Sequence, residues 1–407
     1  MCWRGLFIFR NTAFFTSVFC MYPNLYYAFK DLFGLEIGPL RFINSFGFFV
    51  AIAFFVAAAL LTSELKRKSK LGLLQPTEDT VTVGEPASTT DLLLNFLLGF
   101  VLGYKILGMF FLGPEITADP QAYIFSGAGS WPLGLLLGGV FAFLKWREKQ
   151  KTRLEKPEKR KVRLWPQDRV GEITLLALVF GLLGAKLFDI FENWSEFLKR
   201  PMDFILSGGG LTFYGGLICA TIAIIIFARK HKIPLRHLAD SLAPALMIAY
   251  AIGRIGCQVA GDGDWGIENT DPNPFSWLPD WVWSYNYPHN VNEVGVPIPG
   301  CEGRYCAQLP VGHYPTPFYE TVACTLLFGV LWPFRKRLKT PGALFALYLI
   351  LNGLERFFIE KIRVNNRLDF LGFQPTQAEV ISTCLVIIGI GLWIYLSKKN
   401  GVQPVAR

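Results

Sequence analysis

Arg356, Glu360 and Arg363 follow one another at spacings of four and three in NGLERFFIEKIR (352 to 363), so on a helix they share one face. Two arginines flanking a carboxylate form a bidentate clamp for an oxyanion, with Glu360 orienting the guanidinium groups. A self-satisfied salt-bridge ladder at a helix end is the plain alternative. Glu355 lies off that face and reads as a packing or partner charge. A second constellation is IGRIGCQVAGDGDWG (252 to 266), in which Arg254 stands among Gly253, Gly256, Gly261, Gly263 and Gly266. An arginine inside an apolar span is expensive and marks a functional site. Glycines such as Gly261 let backbone N–H groups approach an anion closely, and a basic residue beside them suits a phosphate. Against this stands a snorkelling arginine whose glycines only permit helix packing. A third piece, HYPTPFYE (313 to 320), sets Tyr319 and Glu320 behind two prolines that would also serve simply to start a helix.

These residues need rigid elements in lipid to hold them. Of 407 residues 52% are hydrophobic and 17% charged, with mean hydropathy +0.35, whereas soluble domains carry about 25% charged residues. Apolar runs near the roughly 20 residues that cross a hydrocarbon core recur along the chain. They fall at about 43–63, 92–112, 131–146, 172–192, 211–228, 239–258, 318–334, 342–360 and 378–396. The expected fold is therefore all-α, a polytopic membrane bundle of about nine transmembrane helices. If the first span runs outward to inward, the loops left inside hold 26 of the 40 Lys and Arg residues and the opposite loops hold 6. By the positive-inside rule that ratio places the C-terminus in the cytoplasm of a bacterium with its spans in the inner membrane. The net charge of +9 then faces an anionic membrane surface. No basic stripe interleaved with aromatics suggests nucleic acid as a partner.

The expected organisation is an N-terminal segment over 1–35, a single transmembrane domain over 36–396 and a cytoplasmic tail over 397–407. Residues 1–20 lack a small-residue cleavage site, so they read either as an interfacial helix or as sequence preceding a true start at Met21. Within the transmembrane domain a shift of 81 residues lays FVLGYKILGMFF (100–111) on GLLGAKLFDIFE (181–192), and Lys105 on Lys186. A two-helix unit is duplicated over about 91–151 and 172–232. Both copies begin and end inside, unlike the inverted repeats of alternating-access transporters. The basic linker at about 145–171 reads as a solvated cytoplasmic hinge, and 262–313 as a periplasmic loop. No cysteines have the paired short spacing of a zinc site, so no metal is expected. No phosphate-binding glycine loop followed by Lys-Ser/Thr is present, and no cofactor is expected. In the outer loop, Cys301 and Cys306 are placed for a local disulfide.

Five tracts stand in an order and spacing that resemble prolipoprotein diacylglyceryl transferases: GGGLTFYGGL (208–217), DSLAP (240–244), GRIGCQVAGDGDWG, PTPFYE (315–320) and NGLERFFIEKIR. EIGPLRFINSFG (36–47) is likewise similar to that family's N-terminal segment. The resemblance covers about 36–64 and 172–396 and leaves 90–171 as the extra unit. It implies transfer of the diacylglyceryl group of phosphatidylglycerol to the lipobox cysteine thiol of a prolipoprotein signal peptide. A thioether forms and glycerol 1-phosphate leaves. Arg254 and Arg356 match the family's essential arginines, and Glu360 and Arg363 its following carboxylate and basic residue. Tyr214 stands where the family has a histidine before the paired glycines, here Gly215 and Gly216, and Asp262 stands for a glutamate of the following loop.

Other positions differ from the family pattern. Tyr314 replaces a second histidine, with His313 one place earlier, Cys257 an asparagine, and Phe46 and Asn352 two tyrosines. A tyrosine with pKa near 10 is a poor base at neutral pH. The arginines are expected to favour the thiolate directly, with Tyr214 orienting thiol or phosphate by hydrogen bonding. An inactive lipid- or signal-peptide-binding paralogue and a transporter are the other classes. The retained Arg254, Arg356, Glu360 and Arg363 speak against the first, and the parallel repeat against the second.

Overall fold

The computed structural model describes residues 21–111, 123, 127–206, 210, 212–364 and 374–400. The expectations for residues 1–20 and for the tail beyond 400 lie outside them. In chain order the principal elements are α1 (Leu25–Phe33), α2 (Ser45–Lys70), β1 (Thr77–Val83), α3 (Thr89–Val101), α4 (Trp131–Lys151), β2 (Glu158–Leu164), α5 (Val170–Glu192) and α6 (Phe213–Lys230). Then come α7 (Leu235–Ala260), β3 (Val296–Pro297), β4 (Ala307–Gln308), α8 (Thr316–Arg337), α9 (Ala343–Glu360) and α10 (Gln377–Asn400). Seven helical stretches among the described residues are long and apolar enough to cross a membrane, and the chain is a polytopic helical membrane protein. The other two long helices are α4, 21 residues, and α9, 18 residues, which carry charges near one end. They coincide with the third and eighth apolar runs of the sequence.

The helix boundaries follow from local chemistry. Asn44 accepts the N–H of Phe46 at 2.7 Å and so opens α2, and Ser88 and Asp91 exchange side-chain bonds at the start of α3. Thr376 and Glu379 do the same for α10. Gly261 ends α7 at φ 64°, in the left-handed region that favours glycine.

The chain divides into two compact units. The first comprises residues 1–36, 43–68 and 233–407 and contains α1, α2 and α7 to α10. Its apolar centre is Ala243, Met247 and Ala251 of α7, Cys324 and Leu331 of α8 and Leu344 of α9, all buried. Small residues on α7 let neighbouring backbones approach, which is how helices gain packing energy in lipid. Asp240, from the DSLAP tract, reaches the start of α9 and accepts the N–H groups of Gly342 at 2.7 Å and Phe345 at 2.9 Å. A carboxylate there satisfies two orphan donors and meets the positive end of the helix dipole. At the same end, buried Glu64 is clamped between Arg67 at 2.5 Å and Arg335 at 3.1 Å.

The second unit comprises residues 37–42 and 69–232. In it α3, continued by a π turn and a 3-10 turn to Phe111, packs on α4, and α5 packs on α6. The lysine of each first helix bonds a carbonyl in the loop before the second: Lys105 to Ala128 at 2.8 Å and Lys186 to Gly210 at 3.5 Å. Gly103 and Gly184 mark close approaches, since a Cβ would stand 2.2 Å from the Leu133 carbonyl oxygen in one case and 2.6 Å from that of Gly215 in the other. The linker expected as a hinge is partly ordered instead. Residues 158–164 pair antiparallel with 77–83, Thr77 opposite Leu164 and Val83 opposite Glu158. Thr and Val alternation in TEDTVTV favours a strand, and Glu78 faces Lys161 and Arg163 across it at 3.8 and 3.9 Å.

Candidate active site

The site lies in the first unit, where the end of α7, the start of α8 and the end of α9 meet the loop that follows α7. Arg254 lies two turns before the end of α7, Glu320 in the first turns of α8, and Arg356 and Glu360 in the last turns of α9. Glu320 is fully buried and is the hub. Its oxygens lie 3.0 Å from Arg254 Nε, 3.0 Å from Arg356 Nη1 and 3.5 Å from Arg363 Nη1. Arg356 also holds Glu360 at 3.0 Å, one turn on, so the helical spacing produces the contact expected of it. The guanidinium side chains are only 13%, 19% and 8% exposed for Arg254, Arg356 and Arg363. At such burial the attraction within each pair is stronger than on a surface, and removing one partner leaves an uncompensated charge.

Two residues of this cluster are not among the candidates read from the sequence. Asp264 bonds Arg254 through one oxygen and Arg363 Nη2 at 2.6 Å through the other. Burial opposes ionisation of its carboxyl, but the guanidiniums of Arg254 and Arg363 outweigh burial and hold it below the usual carboxylate range. Tyr250, one turn before Arg254, donates its hydroxyl to Glu320 at 2.8 Å, and its ring centroid lies 5.1 Å from the Arg254 guanidinium carbon. The spacing of four from Arg254 was the available signal for Tyr250. For Asp264 it was the second acid of DGDWG.

The loop after α7 aims Asp264. Ile267 donates its N–H to Ile362 at 2.9 Å, Gly266 to Tyr314 at 2.9 Å, and Thr316 Oγ1 bonds the Asp264 carbonyl at 2.7 Å. The loop is braced by a small apolar cluster of Met21, Tyr287 and Leu309 and by the β3–β4 pair, and it carries a Cys301–Cys306 disulfide. The backbone donors of Gly261 and Gly266 are committed to Cys257 and Tyr314. Tyr319 spends its hydroxyl on the Val282 carbonyl at 2.6 Å and so ties α8 to the loop. Asp262 accepts the Asp264 N–H at 3.4 Å, and burial together with the neighbouring Asp264 charge pushes its carboxyl up. Cys257 Sγ lies 3.8 Å from Arg254 Nη1. Cys257, Asp262 and Asp264 offer ligand atoms within 4.8 Å of one another, but both oxygens of Asp264 are already taken by arginines. His313 is built into backbone bridges with Glu268 and Tyr285, and the Tyr314 ring packs edge-on to Trp283 at 5.6 Å.

The site thus joins Arg254, Arg356, Arg363, Glu320 and Glu360 of the sequence-derived set. Tyr214, Gly215 and Gly216 belong to the second unit, at the start of α6, where Gly215 and Gly216 are buried against α5.

Three guanidiniums gathered by carboxylates at one end of a helix bundle mark the candidate site of a polytopic helical membrane protein. The prolipoprotein diacylglyceryl transferase family model matches residues 132–395, from the start of α4 to α10, and the chain belongs to that family. Several relatives are named phosphatidylglycerol–prolipoprotein diacylglyceryl transferase. One from Shouchella clausii is 30% identical over 241 residues, 59% of this chain and 78% of the relative. Another from Dehalococcoides mccartyi is 28% identical over 293 residues, 70% of this chain and 96% of the relative. A third from Clostridioides difficile is 32% identical over 236 residues, 58% and 81% respectively.

Proposed function

We propose that this chain transfers the diacylglyceryl group of phosphatidylglycerol to the lipobox cysteine of a prolipoprotein signal peptide. A thioether forms and glycerol 1-phosphate leaves. The observation that carries the reading is the buried set Arg254, Arg356 and Arg363 organised on Glu320, in a chain of this family. The thiol attacks the sn-3 carbon, the C–O bond breaks, and negative charge grows on the departing phosphate oxygen. Fixed guanidiniums there stabilise the transition state without reorganising, a contribution of roughly 10²- to 10³-fold per donor. Glu320, Glu360 and Asp264 hold the forks in place, so the phosphate meets a preorganised clamp. We assign Arg254 and Arg356 to the phosphate and Arg363 to the headgroup. Gly261, Asp262, Tyr319 and Glu320 shape that binding site, and the family resemblance assigns Tyr214, beside Gly215 and Gly216, a hydrogen bond to thiol or phosphate. No cofactor or metal takes part.

The same reading places the chain in the bacterial inner membrane with nine spans and a cytoplasmic C-terminus, supported by the distribution of Lys and Arg. It also takes the α3–α4 and α5–α6 hairpins as duplicates, supported by the matching lysine and glycine contacts in each. The test is complementation of a strain depleted of its own transferase, with thioether formation on a lipobox peptide measured on the purified protein. Reporter fusions after Lys339 and Lys398 should read cytoplasmic and one near Asn292 exported. A wild-type chain that neither complements nor forms thioether refutes the activity, and a cytoplasmic reporter at Asn292 refutes the layout.

A further inference from the structure

Leu344, Tyr348 and Leu351 form the stripe by which α9 packs on α7 and α8, and the next position at that helical spacing is Glu355. Both of its carboxylate oxygens are shut off from solvent, and neither has a hydrogen-bond partner among the described residues. An unpaired carboxyl in a bundle core is costly and marks function more often than structure. The other carboxylates of the site each have a partner: Glu320 meets Arg254, Arg356 and Arg363, Asp264 meets Arg254 and Arg363, Glu360 meets Arg356, and Asp262 accepts the Asp264 N–H at 3.4 Å. Glu320, Asp264 and Glu360 match the three arginines charge for charge, which leaves Asp262 in the loop and Glu355 inside α9 as carboxyls of the same field outside those ion pairs. Glu320, Arg356, Arg254 and Arg363 all act on Glu355 electrostatically. So do Tyr250 of α7, Cys324 of α8 and Tyr348 of its own helix. On the far side α9 meets α10 through Gly353, Ser382 and Val386.

We propose that Glu355 is the proton carrier of the transfer reaction. It takes the proton of the lipobox thiol as the C–S bond forms and delivers it to the phosphate oxygen freed when the C–O bond breaks. The electron pair of the C–O bond goes to that oxygen. Phosphatidylglycerol anion and thiol thus become thioether and glycerol 1-phosphate monoanion, with no proton gained or lost overall. A carboxylate gripped by guanidiniums is a weak proton acceptor, because the adjacent cations favour its ionised form. Glu355 is in none of those ion pairs and, unlike Asp262, accepts no hydrogen bond among the described residues, so of these acids it is the most apt to accept. Tyr214 and Tyr314 are poor bases at neutral pH. The assignment also explains why an acid stands where the stripe calls for an apolar side chain.

The inference rests on the transferase reading, and the assay separates the two. Glu355→Gln is isosteric and removes no hydrogen bond, so the variant should insert and melt in detergent at or above the wild-type midpoint. Thioether formation is measured from pH 6 to 9.5 with phosphatidylglycerol and a lipobox peptide. At pH 7 the variant should lose about 100-fold or more. That loss should shrink about tenfold per pH unit toward the ordinary thiol pKa near 8.5, because the solution then supplies thiolate. Glu355→Asp should recover part of the neutral-pH rate. A variant as fast as wild type, or one slowed equally at every pH, overturns the proposal. Failure of the wild-type chain in the same assay counts instead against the transferase reading.

Discussion

Replacing Glu320 by Gln tests whether one carboxylate organises the whole clamp. The substitution keeps the shape and an oxygen for the Tyr250 hydroxyl, which donates at 2.8 Å, and removes only the charge. Three guanidiniums at 3.0, 3.0 and 3.5 Å then keep Asp264 and Glu360 as their paired carboxylates. An ion pair near 4 Å is worth about 4 kcal/mol at an effective dielectric of 20, and part of that gain is offset by the carboxylate's own burial. Breaking a buried pair by removing one partner costs about 3–5 kcal/mol. Because Glu320 is fully buried, we place Glu320→Gln at that magnitude and expect a clear fall in its thermal midpoint in detergent. The arginines lose their fixed geometry with it, so transfer should drop by roughly 10²-fold. Added phosphatidylglycerol should raise the midpoint of the variant more than that of wild type, since a bound phosphate supplies the missing negative charge and any ligand of the folded state stabilises it. A variant within about 1 kcal/mol of wild-type stability would refute the hub, for a desolvated charge balanced by three cations is not silently replaced.

Arg254→Lys should fail almost as badly as Arg254→Ala, each losing about 100-fold or more in thioether formation, because a point charge cannot replace a fork that spans Glu320 and Asp264. Arg363→Lys should stay within about tenfold of wild type, and a wild-type rate in Arg254→Ala would mean that this arginine is only a surface charge. Asp264 sets an acid limit on stability. Its carboxyl is held below the ordinary value, first against burial and then by Arg254 and Arg363, so its stabilisation is fully present above about pH 4 and is lost as pH falls through the lower, folded-state value. Asp264→Asn should therefore melt lower than wild type at pH 6, and the gap should close on acidification toward pH 3; a gap that widens there would contradict the assignment.

The helices were legible because lipid demands long apolar runs and leaves few alternatives. Every run read from the sequence coincides with a helix, including α4 and α9, whose charged ends keep them from standing out by composition. The β1–β2 ribbon was not legible. Lys, Arg and Glu dominate 145–171, and a charge-rich, proline-bearing stretch suggests a solvated linker. Its strand exists because residues 77–83, some 80 positions earlier, supply the partner, and pairing at that separation leaves no local periodicity.

The site divides along the same line. Arg356 and Glu360 were legible as a contact because helical spacing alone brings them together, and the structure places them 3.0 Å apart. Glu320 was legible only as half of a Tyr-Glu pair, since its three partners come from α7, α9 and the residues after α9. Asp264 was passed over for Asp262 because the two sit in a loop, where no period tells which side chain turns inward. What turns Asp264 inward is the run of bonds that joins Gly266, Ile267, Tyr314 and Ile362, and Arg363 lies next to Ile362 in the chain. The backbone bridge that closes the loop therefore also delivers the arginine to its carboxylate. A change that loosens this bridge should release Arg363 and Asp264 together, while leaving Arg356 and Glu360 joined by their own helix.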